Sequence, residues 1–249
     1  MIIRDLINKI YPEGVLESSL EICRDNKLMN QKLSEIWNSG KVGDEFYKDN
    51  YLYSAHLLHQ LPLDLPASLI NIAAHNRYSY IYDIASLFRY THKNVLDFGS
   101  GIGNFGFTFA HFGYNVTFAD VDSPHLRIVK ALSNEMKVRA SFANQFGHTV
   151  PATQLSFTKY DIIVCIQVLE HSSNPEELLS RFYKMLSDNG LLILETFFDD
   201  CQGTTPYHYK ENMNKGYNKP EYWKQVLITH GFHPIMNGNQ QEWRLLIKL

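Results

Sequence analysis

The run VLDFGSGIGNFG, Val95 to Gly106, limits what this 249-residue chain can fold into more than any other stretch. Val95 and Leu96 are apolar and strand-like, and Asp97 closes the strand. Gly99, Gly101 and Gly103 then alternate with Ser100 and Ile102. A helix-like run follows, with Phe105, Phe109 and Phe112 spaced as one apolar face. Glycine tolerates positive φ and carries no Cβ, so a strand, a glycine turn and a helix together bring a ligand close to backbone. The helix that starts there points unpaired N–H groups and a positive dipole end at whatever sits above the turn.

The glycine spacing alone leaves the ligand open, because Gly101 to Gly106 also fits a dinucleotide fingerprint. A second strand, Asn115 to Ala119, ends at Asp120, and 120 − 101 = 19 residues separates that carboxylate from Gly101. This is where a ribose is gripped in either kind of nucleoside site. Asp122 is the rival, with Asp120 favoured. Asp97 separates the two ligand classes. A carboxylate beside the first glycine repels a pyrophosphate and welcomes a ligand that carries an amino group and a sulfonium. D-x-G-x-G-x-G after an apolar strand resembles the first motif of the class I S-adenosylmethionine (SAM) dependent methyltransferases.

A second block, YDIIVCIQVLEHSSNPEELLSRFYKMLSDNGLLILET from Tyr160 to Thr196, strengthens the resemblance. Ile162 to Ile166 is continuously apolar, as in a central parallel strand. Asn174-Pro175-Glu176-Glu177 caps a helix with acids in its first turn. Asp188-Asn189-Gly190 turns into another apolar strand, Leu191 to Leu194. Val168-Leu169-Glu170-His171 is similar to the LEH signature of the type 11/12 group of these enzymes. The likeness spans Lys93 to Leu249.

The resemblance implies an α/β, Rossmann-like, doubly wound seven-stranded sheet that ends with a reversed strand, supplied by Phe232 to Met236 and Glu242 to Leu249. It implies SAM as cofactor. Asp97, Gly99 and Ser100 would hold the amino-acid end, Gly101 and Gly103 would give it room, and Asp120 with Val121 would take the ribose side. A third strand, Val138 to Phe142, would bring Asn144 or Gln145 to the adenine, unless a backbone amide does this. Gln167 would lie beside the methionine or the acceptor. A methyl on a sulfonium is already activated, so the protein mainly supplies alignment and a dry pocket. Where the acceptor arrives protonated, His171 and His208 are the candidate bases.

The rest of the chain reads as walls. Residues 1–65 show helical stripes only: Ile3, Leu6, Ile7 and Ile10; Leu16, Leu20 and Cys23; Met29, Leu33, Ile36 and Trp37; and a fourth helix from Asp44 to Leu61. They predict a helical cap or lid over a methyltransferase domain at 66–249. Tyr78, Ile81, Ile84 and Phe88 hold helical spacing in a further segment, and the resemblance implies that its polar Arg77 and Tyr78 approach the methionine end. The irregular stretch Phe197 to Asn218 leaves a strand end where open sheets bind ligands. Its Asp199, Tyr207 and Tyr209 are the candidate acceptor contacts.

Composition excludes other classes. The net charge of −3 gives no electrostatic footprint for nucleic acid. No apolar run is long enough to span a membrane, and the N-terminus, broken by Arg4 and Asp5, predicts no signal peptide. Three scattered cysteines predict a reducing, cytoplasmic setting. No HExxH, paired CxxC or His cluster suggests a metal. The expected activity is methyl transfer to a small molecule through O or N, with a peptide side chain or a non-catalytic SAM-binding scaffold as alternatives. Oligomeric state is left open.

Overall fold

The computed structural model describes residues 1–58, 61, 63–67, 83, 86, 93–144, 159–196, 209–217, 219–237 and 243–248. Seven strands make one sheet: β1 Asn94–Phe98, β2 Asn115–Asp120, β3 Ala140–Asn144, β4 Tyr160–Ile166, β5 Leu186–Glu195, β6 Phe232–Asn237 and β7 Trp243–Lys248. Their order is β3-β2-β1-β4-β5-β7-β6. The first five run parallel, and β7 enters antiparallel between β5 and β6. The chain steps outward from β1 on one side and returns through β4 on the other. Such a switch point opens a crevice above the carboxyl ends of the strands.

Five helices are described after β1: α6 Asn104–His111, α7 Pro124–Met136, α8 Pro175–Met185, α9 Lys210–Asn214 and α10 Pro220–Thr229. Alternate residues of the parallel strands feed two cores. Val95, Val116, Phe118, Ile162 and Val164 pack with Phe107, Leu126 and Leu132 on one face. Leu96, Phe98, Ile163 and Cys165 pack with Leu178, Phe182 and Trp223 on the other. Burial on both faces explains why β4 is apolar without alternation. The caps expected at two helix starts are present. Ser123 Oγ accepts the Leu126 N–H at 3.3 Å, and Asn174 Oδ1 accepts that of Glu177 at 3.4 Å, each followed by proline.

The N-terminal segment folds as α1 Ile3–Ile7, α2 Val15–Cys23, α3 Asn26–Asn38, α4 Asp44–Tyr47 and α5 Tyr51–Leu58. Ile3, Leu6, Ile7, Leu16 and Leu58 belong to the same core as the first sheet face. The chain returns along α1, with an isolated antiparallel bridge between Ile2 and Pro66.

Two expectations are corrected and a third is widened. The single helix from Asp44 to Leu61 is two, because Asp49 takes φ +54° and Asn50 caps a new start. Asn50 Oδ1 accepts the Tyr53 N–H at 3.0 Å, and its Nδ2 donates to Phe46 O at 3.0 Å. The third strand begins two residues late, at Ala140. Lys137 leaves α7 at φ +55° and Val138 N still donates to Ser133 O, so the helix exit uses the residues expected to extend. On α6 the expected stripe does pack on the core, Phe109 fully and Phe105 and Phe112 half-buried, but Phe107, outside that stripe, is 0% exposed as well. Gly106 decides this. A Cβ there would sit 2.2 Å from Phe118 Cε1, so the helix lies on β2 through its glycine. The segment around Arg77 and Tyr78, and residues 197–208, lie outside the described residues.

Candidate active site

A cavity of about 360 Å³ lies at the carboxyl ends of β1, β2, β4 and β5. Its floor is the glycine turn. Gly99, Gly101 and Gly103 all take positive φ, as the glycine spacing requires, but each for a different reason. A Cβ on Gly99 would lie 2.2 Å from Val168 Cγ2, so this glycine lets the LEH segment pack under the turn. Among the described residues a Cβ on Gly101 would meet only Leu57 Cδ1, at 3.5 Å, and this position lines the cavity. Gly103 departs from its expected role of giving a cofactor room. Its missing Cβ would meet Phe107 and Phe118, and it starts α6 from the left-handed region, facing the core.

Two carboxylates hold this turn. Asp97 is 2% exposed, and its Oδ2 accepts the Gly106 N–H at 2.8 Å. Burial pushes its carboxyl up to about 8; the Gly106 bond opposes that rise and Asp120 adds to it. Asp120 is 6% exposed. Its Oδ2 accepts the Gly101 N–H at 2.7 Å and its Oδ1 that of Val121 at 2.7 Å. Oδ1 also contacts His125 Nε2 at 3.2 Å. The expectation that both oxygens are free for a ribose is therefore corrected. Three donors from the protein already occupy the carboxylate, and Oδ2 keeps the one remaining in-plane position. The rival, Asp122, is exposed. Ser100 is 6% exposed and lines the cavity, and its Oγ has no hydrogen-bond partner among the described residues.

The far wall comes from β4, the LEH turn and β5. Gln167 takes φ +53°, its N–H donates to Glu195 O at 2.8 Å and its Nε2 to Glu195 Oε1 at 3.1 Å. Val168, His171 and Glu195 line the cavity with it. Glu170 is turned away: it is 2% exposed and its Oε2 accepts the Thr196 hydroxyl at 2.9 Å. Leu169 is wholly in the core. The LEH segment therefore serves both packing and site.

The roof comes from the segment expected as a cap, though which of its side chains reach the cavity was not predicted. Tyr47 of α4 and Tyr53 and Leu57 of α5 line the cavity from the opposite side, with Phe105, Ile166 and His125. Phe46, Tyr47 and Tyr53 are in mutual edge contact, at ring separations of 5.0 to 5.8 Å. Tyr47 also meets the His171 ring edge-on at 6.2 Å. Val121, expected at the ribose, is 4% exposed and joins this cluster with Met29, Leu33 and Phe46. The signal was present as a tyrosine-rich fourth helix, but a tyrosine stripe does not say what it covers. His125 follows a helix-opening Ser-Pro, where a polar residue is ordinarily solvated.

Other expected residues fall elsewhere. Tyr209 is not among the described residues lining the cavity. It packs edge-on against Trp37 at 5.6 Å, and its N–H donates to Glu170 O at 3.3 Å, joining the cap to the LEH turn. Burial, with Asp44 and Glu211, raises its phenol above the ordinary range. Asn144 ends β3 beside Asp120 in register. Asp199, Tyr207 and His208 lie outside the described residues.

Among the described residues the lining carries three carboxylates, Asp97, Asp120 and Glu195, and no lysine or arginine. Such a lining favours a cationic ligand and opposes a pyrophosphate. Gly101 in the lining, the Ser100 hydroxyl and this charge all fit a nucleoside that bears an ammonium and a sulfonium.

Comparison with known proteins agrees. The family model described as a methyltransferase domain matches residues 72–244. The chain belongs to this family. Ubiquinone biosynthesis O-methyltransferase of Rickettsia akari is 26% identical over 141 residues, 56% of this chain and 51% of that protein. The protein of the same name from Glaesserella parasuis is 32% identical over 112 residues, 42% of this chain and 45% of that one. The chain thus spans about half the length of the curated relatives it matches. A solved S-adenosylmethionine-dependent methyltransferase from Clostridium acetobutylicum superposes with a TM-score of 0.53 at 13% identity, covering 80% of this chain and 98% of that one. The fold is that of the class I enzymes.

Proposed function

We propose that the chain binds SAM in this cavity and transfers a methyl group to a small-molecule acceptor, an oxygen nucleophile foremost. The observation that carries the reading is the acidic glycine cradle, with Asp97, Ser100, Gly101 and Asp120 at one strand edge and no described lysine or arginine among them. The oxygen nucleophile follows the names of the relatives. A cavity of about 360 Å³ suits a small acceptor better than a folded protein surface.

SAM, when bound, supplies a methyl group already activated on a sulfonium. The chain supplies position and exclusion of water. Asp97 takes the cofactor's ammonium, with Gly99 and Ser100 at the same end. Asp120 Oδ2 accepts one ribose hydroxyl, and Val121 and Asn144 lie on the adenine side. Gln167 and Glu195 border the acceptor. Tyr47, Tyr53 and Leu57 close the roof, so that residues 1–65 act as a cap on a domain of residues 66–249. His171 stands at the junction of floor and roof, and accepts the acceptor's proton in our reading. His208 is the second candidate base, with Asp199 and Tyr207 as acceptor contacts. Tyr209 holds the wall from behind.

Among the described residues no helix is long and apolar enough to cross a membrane. We assign the protein to the cytoplasm, with neither nucleic acid nor membrane as partner.

Equilibrium dialysis against labelled SAM and labelled NAD tests the cofactor; binding of SAM alone is expected. Transfer of label to a panel of phenols and catechols tests the reaction. Binding of NAD instead would overturn the reading. SAM binding with no transfer to hydroxyls, amines or peptides would leave a SAM-binding scaffold.

A further inference from the structure

We infer that His125 is a positioning residue for the nucleoside site, tying roof helix α5 to the glycine turn through Asp120. The inference rests on the proposed cofactor site and adds to it a part for a residue that no motif marks. His125 is 2% exposed and both of its ring nitrogens are engaged. Nε2 lies 3.2 Å from Asp120 Oδ1, and Nδ1 lies 3.1 Å from Ser54 Oγ on α5. Ser54 is 0% exposed. Asp120 accepts two backbone N–H groups, and a carboxylate in that role is an acceptor only. Nε2 therefore carries the proton and donates to Oδ1. That leaves the Nδ1 lone pair to accept the Ser54 hydroxyl, a tautomer assigned from its partners. The Tyr53 ring, edge-on at 6.0 Å, fills the space beside the imidazole.

The consequence lies in the aim of the carboxylate. The terminal torsion of an aspartate is soft and nearly two-fold. With Val121 N–H and His125 Nε2 both on Oδ1, that oxygen is saturated and the group cannot turn. Oδ2 is then held against Gly101 N–H, with its one remaining position facing the cavity. Without the imidazole donor, the carboxylate turns more freely and the Gly101 N–H loses a fixed partner. A hydroxyl donated by a ribose would then meet a moving acceptor above a loosened turn. Ser54 acts one step further back, because its hydroxyl anchors Nδ1 and holds the imidazole in place.

S-adenosylhomocysteine is the probe, titrated by calorimetry into the full-length chain, with a thermal melt of each variant. His125→Phe keeps the ring volume and removes both bonds; its affinity should fall at least about tenfold, the scale of losing a donor to a charged group. His125→Gln places an amide N–H near Oδ1 and should return affinity to within about threefold of wild type. Ser54→Ala should weaken binding about threefold alone and by less than that when added to His125→Phe, since only its bond to Tyr11 lies outside the relay. Unchanged affinity in His125→Phe would overturn the inference, as would a glutamine variant no better than phenylalanine. If His125→Phe does not fold, Ser54→Ala decides, and wild-type affinity there overturns the relay. A wild-type protein that fails to bind the probe removes the proposed cofactor site and this inference with it. Wild-type binding with an indifferent His125 removes this inference alone.

Discussion

The floor and the roof of the cavity are built by different means. The floor is backbone: positive-φ glycines, with N–H groups of Gly101, Gly106 and Val121 tied to two buried carboxylates. The roof is side chain: three aromatic rings of α4 and α5 leaning edge-on against one another above it. A backbone cradle has one shape, because its positive-φ glycines and carboxylate-bound N–H groups leave it little freedom. An aromatic roof takes its shape from packing, and different rings close the same volume at modest cost. The floor should therefore govern whether the cofactor binds, and the roof which acceptor is taken.

The comparison breaks first at the glycines. Gly101→Val should abolish S-adenosylhomocysteine binding, by about 10³-fold or more, in a folded protein. The site lines the cavity, and its strained φ costs only about 1–2 kcal/mol. Gly106→Ala should do the reverse. Its Cβ would be driven into Phe118 and to 2.9 Å from Asp97 Oδ2, so stability should fall by about 3 kcal/mol in a urea titration, the larger of its two effects. Normal binding in folded Gly101→Val would mean that the floor does not hold the ligand.

Asp120→Ala comes next. The change removes the ribose acceptor and leaves the N–H groups of Gly101 and Val121 and the His125 Nε2 without their carboxylate. Calorimetry should show a loss of about 10²-fold in affinity for S-adenosylhomocysteine. A loss under about threefold would move the nucleoside to another carboxylate.

The roof should respond differently. Tyr47→Ala should raise the acceptor KM by about tenfold and leave S-adenosylhomocysteine affinity within about threefold, because its ring lines the cavity against His171 and away from His125. Equal losses for both ligands would erase the distinction between floor and roof.

The smallest effect is a slope with pH. Asp97 is raised to about 8 in the free protein, so at pH 7 it is mostly protonated. A bound ammonium favours the carboxylate, so binding should release a fraction of a proton and SAM affinity should rise severalfold from pH 6 to 8. Stability carries the opposite sign. The native state holds this proton more tightly than the unfolded chain does, from about pH 4, the unfolded value, up to about 8. This group's contribution to stability therefore declines as pH rises through that window. Asp97→Asn should flatten both slopes, read by calorimetry in buffers of different ionisation enthalpy and by melts of the free protein.

How much was legible follows the same division. The strand-turn-helix at Val95 to Gly106 was readable because its constraints act over a few neighbouring residues, Asp120 from its spacing to the glycines, and the LEH block from resemblance to a family. The seven-stranded order with its reversed β7 followed from resemblance to a family. The break at Asp49 and the delayed β3 were missed because single residues in left-handed conformations, Asp49 and Lys137, leave periodicity almost unchanged. Gly103 was misjudged because spacing does not tell which way an absent Cβ points.

The amino-acid sequence by itself determined the class of this protein: a parallel α/β sheet with a glycine cradle and paired carboxylates at its edge. Local chemistry suffices for that, since strand period, glycine freedom and capping are short-range. Only the tertiary structure decided that α4 and α5 roof the cavity, and that Tyr209 braces Trp37. It alone brought Ser54 and His125, 71 residues apart, together behind Asp120. Those are contacts between distant segments, and they exist only once the first sheet face and the N-terminal helices have buried their apolar residues in one core.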